Sequence, residues 1–311
     1  MSEDTSRAVI GWQGVSVRVP GEWTLGAVGG DRKAGYVRVD DERMPRLQVK
    51  WSRGRIDLEK KRKEYMDRLT RKGRWRKRTT GLEVRTDVRA LSKRSKPRKE
   101  LVGYGWRGPQ CGLGVLWNCE VCDRALIAQV SWLPEEEGYE LAQEVLESLE
   151  DHGTGGWTTW GVDGLAFLAP EEYELGGWRR MTRYLEVSLL RGSRTLKAAR
   201  WGMVPMVLEG KSVREWYEAV NERRRDVRWS AEDVEVKGHE GVWVRGRRRR
   251  LAGGVRKAAA RLVRREATDQ FEACAWHCPE VNRLYLVESV HGSGGEITKG
   301  VVDLITCHEE E

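Results

Sequence analysis

The chain has 311 residues, with 56 Lys/Arg against 48 Asp/Glu, a net charge of +8 and 39% hydrophobic residues. A chain of this length can bury two separate cores. No stretch approaches the roughly 18–20 apolar residues of a membrane span, and no apolar signal core follows the acidic first residues, which predicts a cytoplasmic protein. Six cysteines in that compartment indicate thiols or metal ligands rather than a disulfide framework.

The excess positive charge is concentrated in the first half of the chain. Residues 1–150 contain 30 Lys/Arg against 23 Asp/Glu, whereas residues 151–311 contain 26 against 25. A basic domain favours contact with polyanions, although a solvated surface explains the same charge.

The first predicted element is a strand that recurs 150 residues later. Apolar and polar side chains alternate over 15–19 up to Pro20, and the same alternation over 165–169 ends at Pro170. Proline followed by a turn stops each strand. A fixed-period echo of domain length indicates tandem domains, so the sequence predicts a duplicated unit.

Two strands and a helix are predicted next in each copy. The strands fall within 36–51 in the first copy and within 184–201 in the second. Apolar residues at three- and four-residue spacings then predict one helix that begins near Leu58 and another that begins after Ser212. Ser212 precedes Glu215 by three residues, which is the spacing of a capping box.

Each copy is predicted to end with hairpins, a tryptophan-led strand and a closing helix. The middle of each copy is the least similar part, and we expect hairpins joined by basic, mobile loops there. Trp117 and Trp276 then lead into strands, and the closing helices over 141–149 and 297–305 match at an offset of 156.

This order of elements predicts fold class α+β, with two tandem homologous domains. Consecutive strands joined by short turns make each sheet mostly antiparallel, and helices flank it. The first domain is predicted over 1–152 and is strongly basic, and the second over 153–311 is nearly neutral.

The pattern resembles the PsbP-like superfamily, which includes the photosystem oxygen-evolving subunit, a Ran-binding nuclear import factor and the DcrB-type bacterial proteins. Pro20 with Trp23, and Pro170 with Tyr173, carry the resemblance, which covers nearly the whole chain twice. It implies an antiparallel sheet flanked by helices and a habit of binding proteins, as in DcrB-related chaperones that pair to hold an apolar segment. It implies no catalytic residues, and a fold does not fix a function.

The cysteines are the first candidate site. Cys119 and Cys122 have the spacing of half a zinc knuckle, and Cys274, His277 and Cys278 offer a second half. The two halves could complete one zinc site across a domain interface. Structural thiols and a redox-active pair are the alternatives. Only one cysteine per copy keeps its position in the repeat, which favours structural thiols.

Catalysis is not expected from this sequence. The five histidines are far apart, and no spacing typical of a metalloprotease occurs. A nucleophilic pair of Cys278 with His239 or His291 is the alternative, since such partners meet only in the folded chain. We therefore predict no catalytic residues and no cofactor other than a possible zinc ion at the cysteines.

Basic runs are the second candidate site. A helix over 60–78 and a loop over 245–265 carry cations that can neutralise phosphates, and an interleaved tryptophan can stack on an unpaired base. A solvated helix face is the alternative. The candidate residues are Lys60, Lys61, Arg71, Lys72, Arg74, Trp75, Arg76, Arg247, Arg248, Arg249 and Arg250.

The leading hypothesis is a non-enzymatic protein that binds, scaffolds or chaperones other proteins through Trp and Arg anchors. The second hypothesis is a polyanion- or nucleic-acid-binding accessory protein. The third is a zinc- or thiol-dependent protein that uses the Cys119/Cys122 and Cys274/Cys278 pairs. A protein is thus the expected partner, with nucleic acid as the alternative.

Overall fold

The computed structural model describes residues 7–75, 82–86, 88–91, 96–248, 269–292 and 297–308, without the side chains of 71–75. The chain divides into two compact units, unit 1 (Met1–Ala166) and unit 2 (Phe167–Glu311). The division into domains 1–152 and 153–311 stays a prediction.

The predicted α+β class is wrong, because the protein is mostly β. Among the described residues, strands account for far more of the structure than helices do. The predicted antiparallel pairing is confirmed. The sequence predicts hairpins joined by basic, mobile loops in the middle of each copy, and in unit 2 the structure has long strands there instead. In the structure Val227–Val236 and His239–Arg248 are ten-residue strands, and the basic run up to Arg248 continues the second of them.

Unit 1 is built on a seven-stranded antiparallel sheet with the order β3-β4-β5-β9-β8-β7-β6. A second sheet pairs β2, β1 and β10 in that order. The strands are β1 (Arg7–Trp12), β2 (Val15–Pro20), β3 (Thr24–Gly30), β4 (Ala34–Asp40), β5 (Pro45–Arg53), β6 (Glu83–Arg85), β7 (Lys99–Arg107), β8 (Cys111–Cys119), β9 (Arg124–Trp132) and β10 (Trp157–Val162). The helices are α1 (Leu58–Trp75) and α2 (Tyr139–Ser148).

Unit 2 repeats this strand order, as β12-β13-β14-β18-β17-β16-β15. The boundary between the units falls within β11 (Leu165–Pro170). The remaining strands are β12 (Glu174–Met181), β13 (Tyr184–Arg191), β14 (Arg194–Gly202), β15 (Val227–Val236), β16 (His239–Arg248), β17 (Gln270–Cys278) and β18 (Arg283–His291). The helices are α3 (Val204–Leu208), α4 (Val213–Asn221) and α5 (Ile297–Leu304). The predicted capping box of Ser212 and Glu215 at the start of α4 is confirmed.

The core of unit 1 lies around β8, which pairs with the central strand β9. Every residue of β8 is buried, so both faces of the sheet are covered at that point. Helix α1 packs Leu58 and Met66 against Tyr104 and Leu116 on the sheet. Helix α2 contacts β8 and β9 and buries Val145 among its apolar residues.

The core of unit 2 is arranged in the same way. Helix α4 buries Trp216 and Tyr217 in a cluster with Val242 and Phe271 of the sheet. Helix α5 contacts β17 and β18 and buries Val301. Each seven-stranded sheet therefore has a closing helix that brings the residues after it to the ends of the central strands.

Arg46 is a buried cation between two carboxylates in unit 1. Its side chain is 9% exposed, its Nε donates to Asp41 at 2.5 Å, and its Nη2 donates to Glu136 at 2.9 Å. The Arg46 guanidinium lowers the pKa of the Glu136 carboxyl to about 2, although burial acts in the opposite direction. The folded state therefore stabilises the ionised form of Glu136, and that form in turn stabilises the fold.

Substituting Glu136→Gln is expected to lower the free energy of unfolding by about 2–3 kcal/mol at pH 7 and by about half as much at pH 3. Because folding depresses this pKa, the contribution is present above the ordinary value of 4.5 and is lost as the pH falls toward 2. Urea unfolding of both proteins at the two pH values measures it. Glu135→Gln is the control, because Glu135 is 63% exposed and pairs only with Arg43 among the described contacts. If Glu136→Gln lowered the free energy of unfolding equally at both pH values, the ion pair of Glu136 with Arg46 would not be the cause.

Strands β1 and β10 approach closely at a pair of glycines. Gly11 pairs with Gly161 in the ladder. A Cβ on Gly11 would lie 2.7 Å from the Thr159 carbonyl oxygen and 2.8 Å from the Gly161 nitrogen. Both neighbours are backbone atoms, which cannot rotate away as a side chain can.

Gly11→Ala is expected to destabilise the protein by about 1–3 kcal/mol, because the strands must separate to admit the methyl group. Thermal unfolding followed by circular dichroism measures the change. Gly177→Ala in β12 is the matched control, since a Cβ there meets nothing within 4 Å. If the two variants unfolded at the same temperature, a Cβ at the contact between β1 and β10 would have no energetic cost.

Candidate metal centre

Four side chains with metal-binding atoms meet in unit 2. His239 begins β16, Cys278 ends β17, and Cys307 and His308 follow α5. Their ligand atoms all lie within 4.8 Å of one another, and the first three residues are buried. We call these four residues the unit 2 cluster.

Strand register and the closing helix bring the unit 2 cluster together. In the antiparallel β16–β17 ladder Gly241 pairs with Trp276, so His239 and Cys278 stand side by side two residues further on. Burial of Ile305 holds the segment after α5 against the sheet. The Tyr285 hydroxyl, which donates to the Cys307 carbonyl oxygen at 3.3 Å, fixes the end of that segment.

The distances around the His308 ring are those that ligands of one ion would have. Its Nδ1 lies 3.3 Å from His239 Nε2, 3.4 Å from Cys278 Sγ and 3.3 Å from Cys307 Sγ. One imidazole nitrogen carries either one hydrogen or one lone pair, so it makes one good hydrogen bond and not three. Zinc bonds of about 2.0–2.1 Å to nitrogen and about 2.3 Å to sulfur place tetrahedral ligands about 3.3 Å (N to N) and about 3.5 Å (N to S) apart. The three separations from His308 Nδ1 are close to these values, and the other ligand atoms lie within 4.8 Å of one another.

The electrostatics of the unit 2 cluster favour the protonated form of Cys278. Burial raises the pKa of the Cys278 thiol to about 12, the nearby Glu280 carboxylate adds to the rise, and the backbone N–H of Val281 opposes it. Glu280 Oε2 lies 3.2 Å from Cys278 Sγ and 3.7 Å from His239 Nε2. A thiolate at this place needs a positive partner, and a metal ion supplies one.

The donor set selects the metal. Two thiols and two imidazoles in a tetrahedral arrangement are typical of structural zinc sites. Four protein ligands fill a tetrahedral shell and leave no position for water or a substrate. The residues present therefore fit a zinc ion that supports the structure rather than one that catalyses a reaction.

Unit 1 has a cluster at the corresponding place. Cys119 ends β8, Cys122 lies in the turn that follows, and Asp151 and His152 come after α2. Their ligand atoms also lie within 4.8 Å of one another. The pairs Asp151-His152 and Cys307-His308 are 156 residues apart, which is the offset of the closing helices. We call these four residues the unit 1 cluster.

The residues of the unit 1 cluster are not arranged as a Cys–His–Asp catalytic triad. His152 Nδ1 lies 3.6 Å from Cys119 Sγ and 2.7 Å from Asp151 Oδ1. Both contacts use the same ring nitrogen, so the imidazole does not bridge the thiol and the carboxylate as it does in a nucleophilic triad. Burial, followed by the charge of Asp151, raises the pKa of the Cys122 thiol to about 12, which opposes a reactive thiolate.

The structure brings some of the sequence-predicted cysteines together and separates others. Cys119 and Cys122 share one cluster and Cys278 belongs to the other, but Cys274 lies in neither. Cys274 precedes Cys278 by four residues on β17, a distance of about 13 Å along a strand. Each cluster draws all its residues from one unit.

Sequence reasoning missed five of the eight cluster residues. Of the nucleophilic pairs considered, the structure brings His239 to Cys278, while His291 faces Glu272 at 3.5 Å. The offset of 156 was available in the sequence and would have aligned the two histidines that follow the closing helices. The residues missed as ligands are Asp151, His152, His239, Cys307 and His308.

The basic candidates lie in two separate units. Lys61 pairs with Glu64 at 3.3 Å within α1, while Lys60, Arg247 and Arg248 are exposed. The side chains of Arg71, Lys72, Arg74 and Trp75 lie outside the described part of the protein, as do Arg76, Arg249, Arg250 and residues 251–265 of the predicted loop. Polyanion binding by these residues stays a prediction.

Two further results bear on the predictions. Within the described residues, the structure contains no helix with both the length and the apolar character to cross a membrane. No protein-family model matches the chain, and no curated protein matches it. The resemblance to the PsbP-like superfamily therefore stays a prediction.

Proposed function

We propose that this is a non-enzymatic, zinc-stabilised binding protein, with one structural zinc ion held by the unit 2 cluster. The observation that carries the proposal is the convergence of His239, Cys278 and Cys307 on Nδ1 of His308 at 3.3–3.4 Å. The ion fastens the segment after α5 to the ends of β16 and β17. We also propose a cytoplasmic location, in which thiols stay reduced and able to bind metal.

Metal analysis tests the zinc proposal. Protein purified without chelator is expected to contain one zinc ion per chain, and Cys278→Ser is expected to lose it. Cys274→Ser is the matched control, because Cys274 is equally buried on the same strand but lies outside the cluster. A chain without zinc, or a Cys278→Ser variant that keeps it, would refute the proposal.

A methionine surface in unit 2 supports protein binding as the role of the scaffold. Met181, Met203 and Met206 are each more than half exposed. They lie on adjoining segments, since the Gly202 N–H donates to the Arg183 carbonyl at 2.9 Å and Arg183 Nη1 donates to Met206 Sδ at 3.2 Å. Flexible thioether side chains adapt to varied apolar partners. We propose an apolar segment of another protein as the ligand of this surface.

An aggregation assay tests this role with a defined probe. The protein is expected to slow the aggregation of the insulin B chain after reduction, and the triple substitution of Met181, Met203 and Met206 by Ser is expected to remove the effect. Val121→Ser is the control, because Val121 is an exposed apolar residue in unit 1. Equal activity of the triple variant and the wild type would exclude the methionine surface.

We also propose that the two units arose by tandem duplication. The shared strand order of the two seven-stranded sheets supports this, as does the equivalent placement of the two clusters.

A further inference from the structure

The unit 1 cluster has a buried lysine beside it. The Lys99 side chain is 3% exposed, and its Nζ lies 3.0 Å from Asp151 Oδ1 and 3.4 Å from Glu150 Oε2. The ammonium also stands 4.5 Å from the centre of the Trp117 ring. Lys99 is thus a desolvated cation in direct contact with a member of the cluster.

Asp151 is the counterion of this lysine. It is wholly buried, and its Oδ2 accepts a hydrogen bond of 2.7 Å from Trp117 Nε1. Lys99 Nζ, Trp117 Nε1 and His152 Nδ1 all lie within 3.0 Å of the Asp151 carboxylate oxygens. Removing either charge of such a pair leaves the other uncompensated in the interior.

Lys99 occupies in unit 1 the position that His239 occupies in unit 2. Lys99 pairs with Cys119 in the β7–β8 ladder. His239 and Cys278 have the same relation, two residues beyond the Gly241–Trp276 pair. At the position opposite the cysteine that both units share, unit 2 therefore has the imidazole of His239, which can donate a lone pair to a metal. Unit 1 has the ammonium group of Lys99 there, which cannot.

The distances within the two clusters also differ, as expected if unit 1 has a lysine where unit 2 has a metal ligand. In unit 1 the His152 ring nitrogen is 3.6 Å from Cys119 Sγ, much as in unit 2, but only 2.7 Å from the Asp151 carboxylate, which is a hydrogen-bond length. In unit 2 the separations of 3.3–3.4 Å are those between ligands of one ion. Two more buried cations lie near Lys99, since Lys96 pairs with Glu150 and Arg124 donates to the Asp151 carbonyl oxygen at 2.7 Å. A zinc ion in the cluster would meet the repulsion of these charges in a medium of low dielectric constant, and Lys99 is the cation in contact with the Asp151 carboxylate.

We infer that the Lys99 ammonium, the cation bound to the Asp151 carboxylate, blocks a zinc site formed by Cys119, Cys122, Asp151 and His152. The comparison on which this inference rests assumes the proposed zinc ion of unit 2. Loss of the lysine charge leaves two sulfurs, one carboxylate and one imidazole, which is a complete tetrahedral ligand set for zinc.

The test counts zinc ions per chain after loading with zinc chloride and dialysis. The wild type is expected to hold one, Lys99→Met two, Cys278→Ser none, and the double variant Lys99→Met/Cys278→Ser one. Methionine keeps a flexible stem against Trp117 and removes only the charge. Lys96→Met is the matched control, because Lys96 is an equally buried lysine that pairs with Glu150, and it is expected to leave the count at one.

The outcomes separate the two proposals. Failure of Cys278→Ser to lower the count refutes the zinc site of unit 2, whereas failure of Lys99→Met to raise it refutes the blocking role of Lys99. Two ions in the wild type would also refute that role. Should Lys99→Met fold only with zinc present, the dependence supports the inference. Lys99→Arg keeps the charge and is expected to hold one ion, so a count of two there overturns the inference.

Discussion

Replacing His308 by alanine is expected to remove zinc from unit 2 and to lower the free energy of unfolding by about 3–4 kcal/mol. A ligand that binds only the folded state stabilises it by about 2.7 kcal/mol at a free concentration one hundred times its Kd, and by about 4.1 kcal/mol at one thousand times. His308 is the residue on which the other three cluster members converge, so its removal leaves the set incomplete. Urea unfolding with excess zinc and with a chelator measures the loss.

His277→Ala is the control for this variant. His277 lies on β17 next to Cys278 but outside the cluster, so it is expected to keep both the zinc ion and the response to chelator. The zinc-dependent stability of the wild type is also expected to fall on acidification, since imidazoles and thiols must lose their protons to bind metal. A His308→Ala protein whose stability still responds to chelator would contradict the assignment.

Trp117→Phe is expected to destabilise the protein by about 3–4 kcal/mol. The smaller ring leaves a cavity in the core, which costs about 1–2 kcal/mol. The substitution also removes the indole N–H that donates to the buried carboxylate of Asp151 at 2.7 Å, and a hydrogen bond to a charged group contributes about 1.5–3 kcal/mol.

The same substitution in unit 2 isolates the hydrogen bond. Trp276 is the equivalent residue, is equally buried and stacks on Tyr285 at 5.2 Å. Its Nε1 has no acceptor among the described residues. Trp276→Phe is therefore expected to cost only about 1–2 kcal/mol. Denaturant unfolding of both variants provides the comparison, and equal losses would show that the Trp117–Asp151 bond adds nothing.

Several strands of this fold can be predicted from the local sequence, because apolar and polar side chains alternate along them. The pattern of residues 15–19 and 165–169 gave two strands at the positions found, and Ser212 with Glu215 gave a correct helix start. The fold class was not readable in the same way. The length of β15 and β16 comes from pairing between neighbouring strands, and the arginines at the end of β16 were interpreted as a loop.

The metal clusters were partly readable. Cys119 and Cys122 are close in sequence, and one turn places them together, so local spacing suffices there. The unit 2 cluster joins His239 to residues that lie far along the chain, and only the strand register and the packing of α5 bring them into reach. Lys99 could not be singled out for a related reason, because one more lysine in a basic run has no distinguishing mark before the sheet is formed.

The spread of the unit 2 ligands along the chain has a consequence for assembly. His239 and His308 are 69 residues apart, so the proposed ion would act as a reversible cross-link that closes a long loop. Four ligands that the strand register and the packing of α5 bring together would be complete only once those elements are in place. We therefore expect removal of the ion to loosen the segment after α5 before the ladder between β16 and β17.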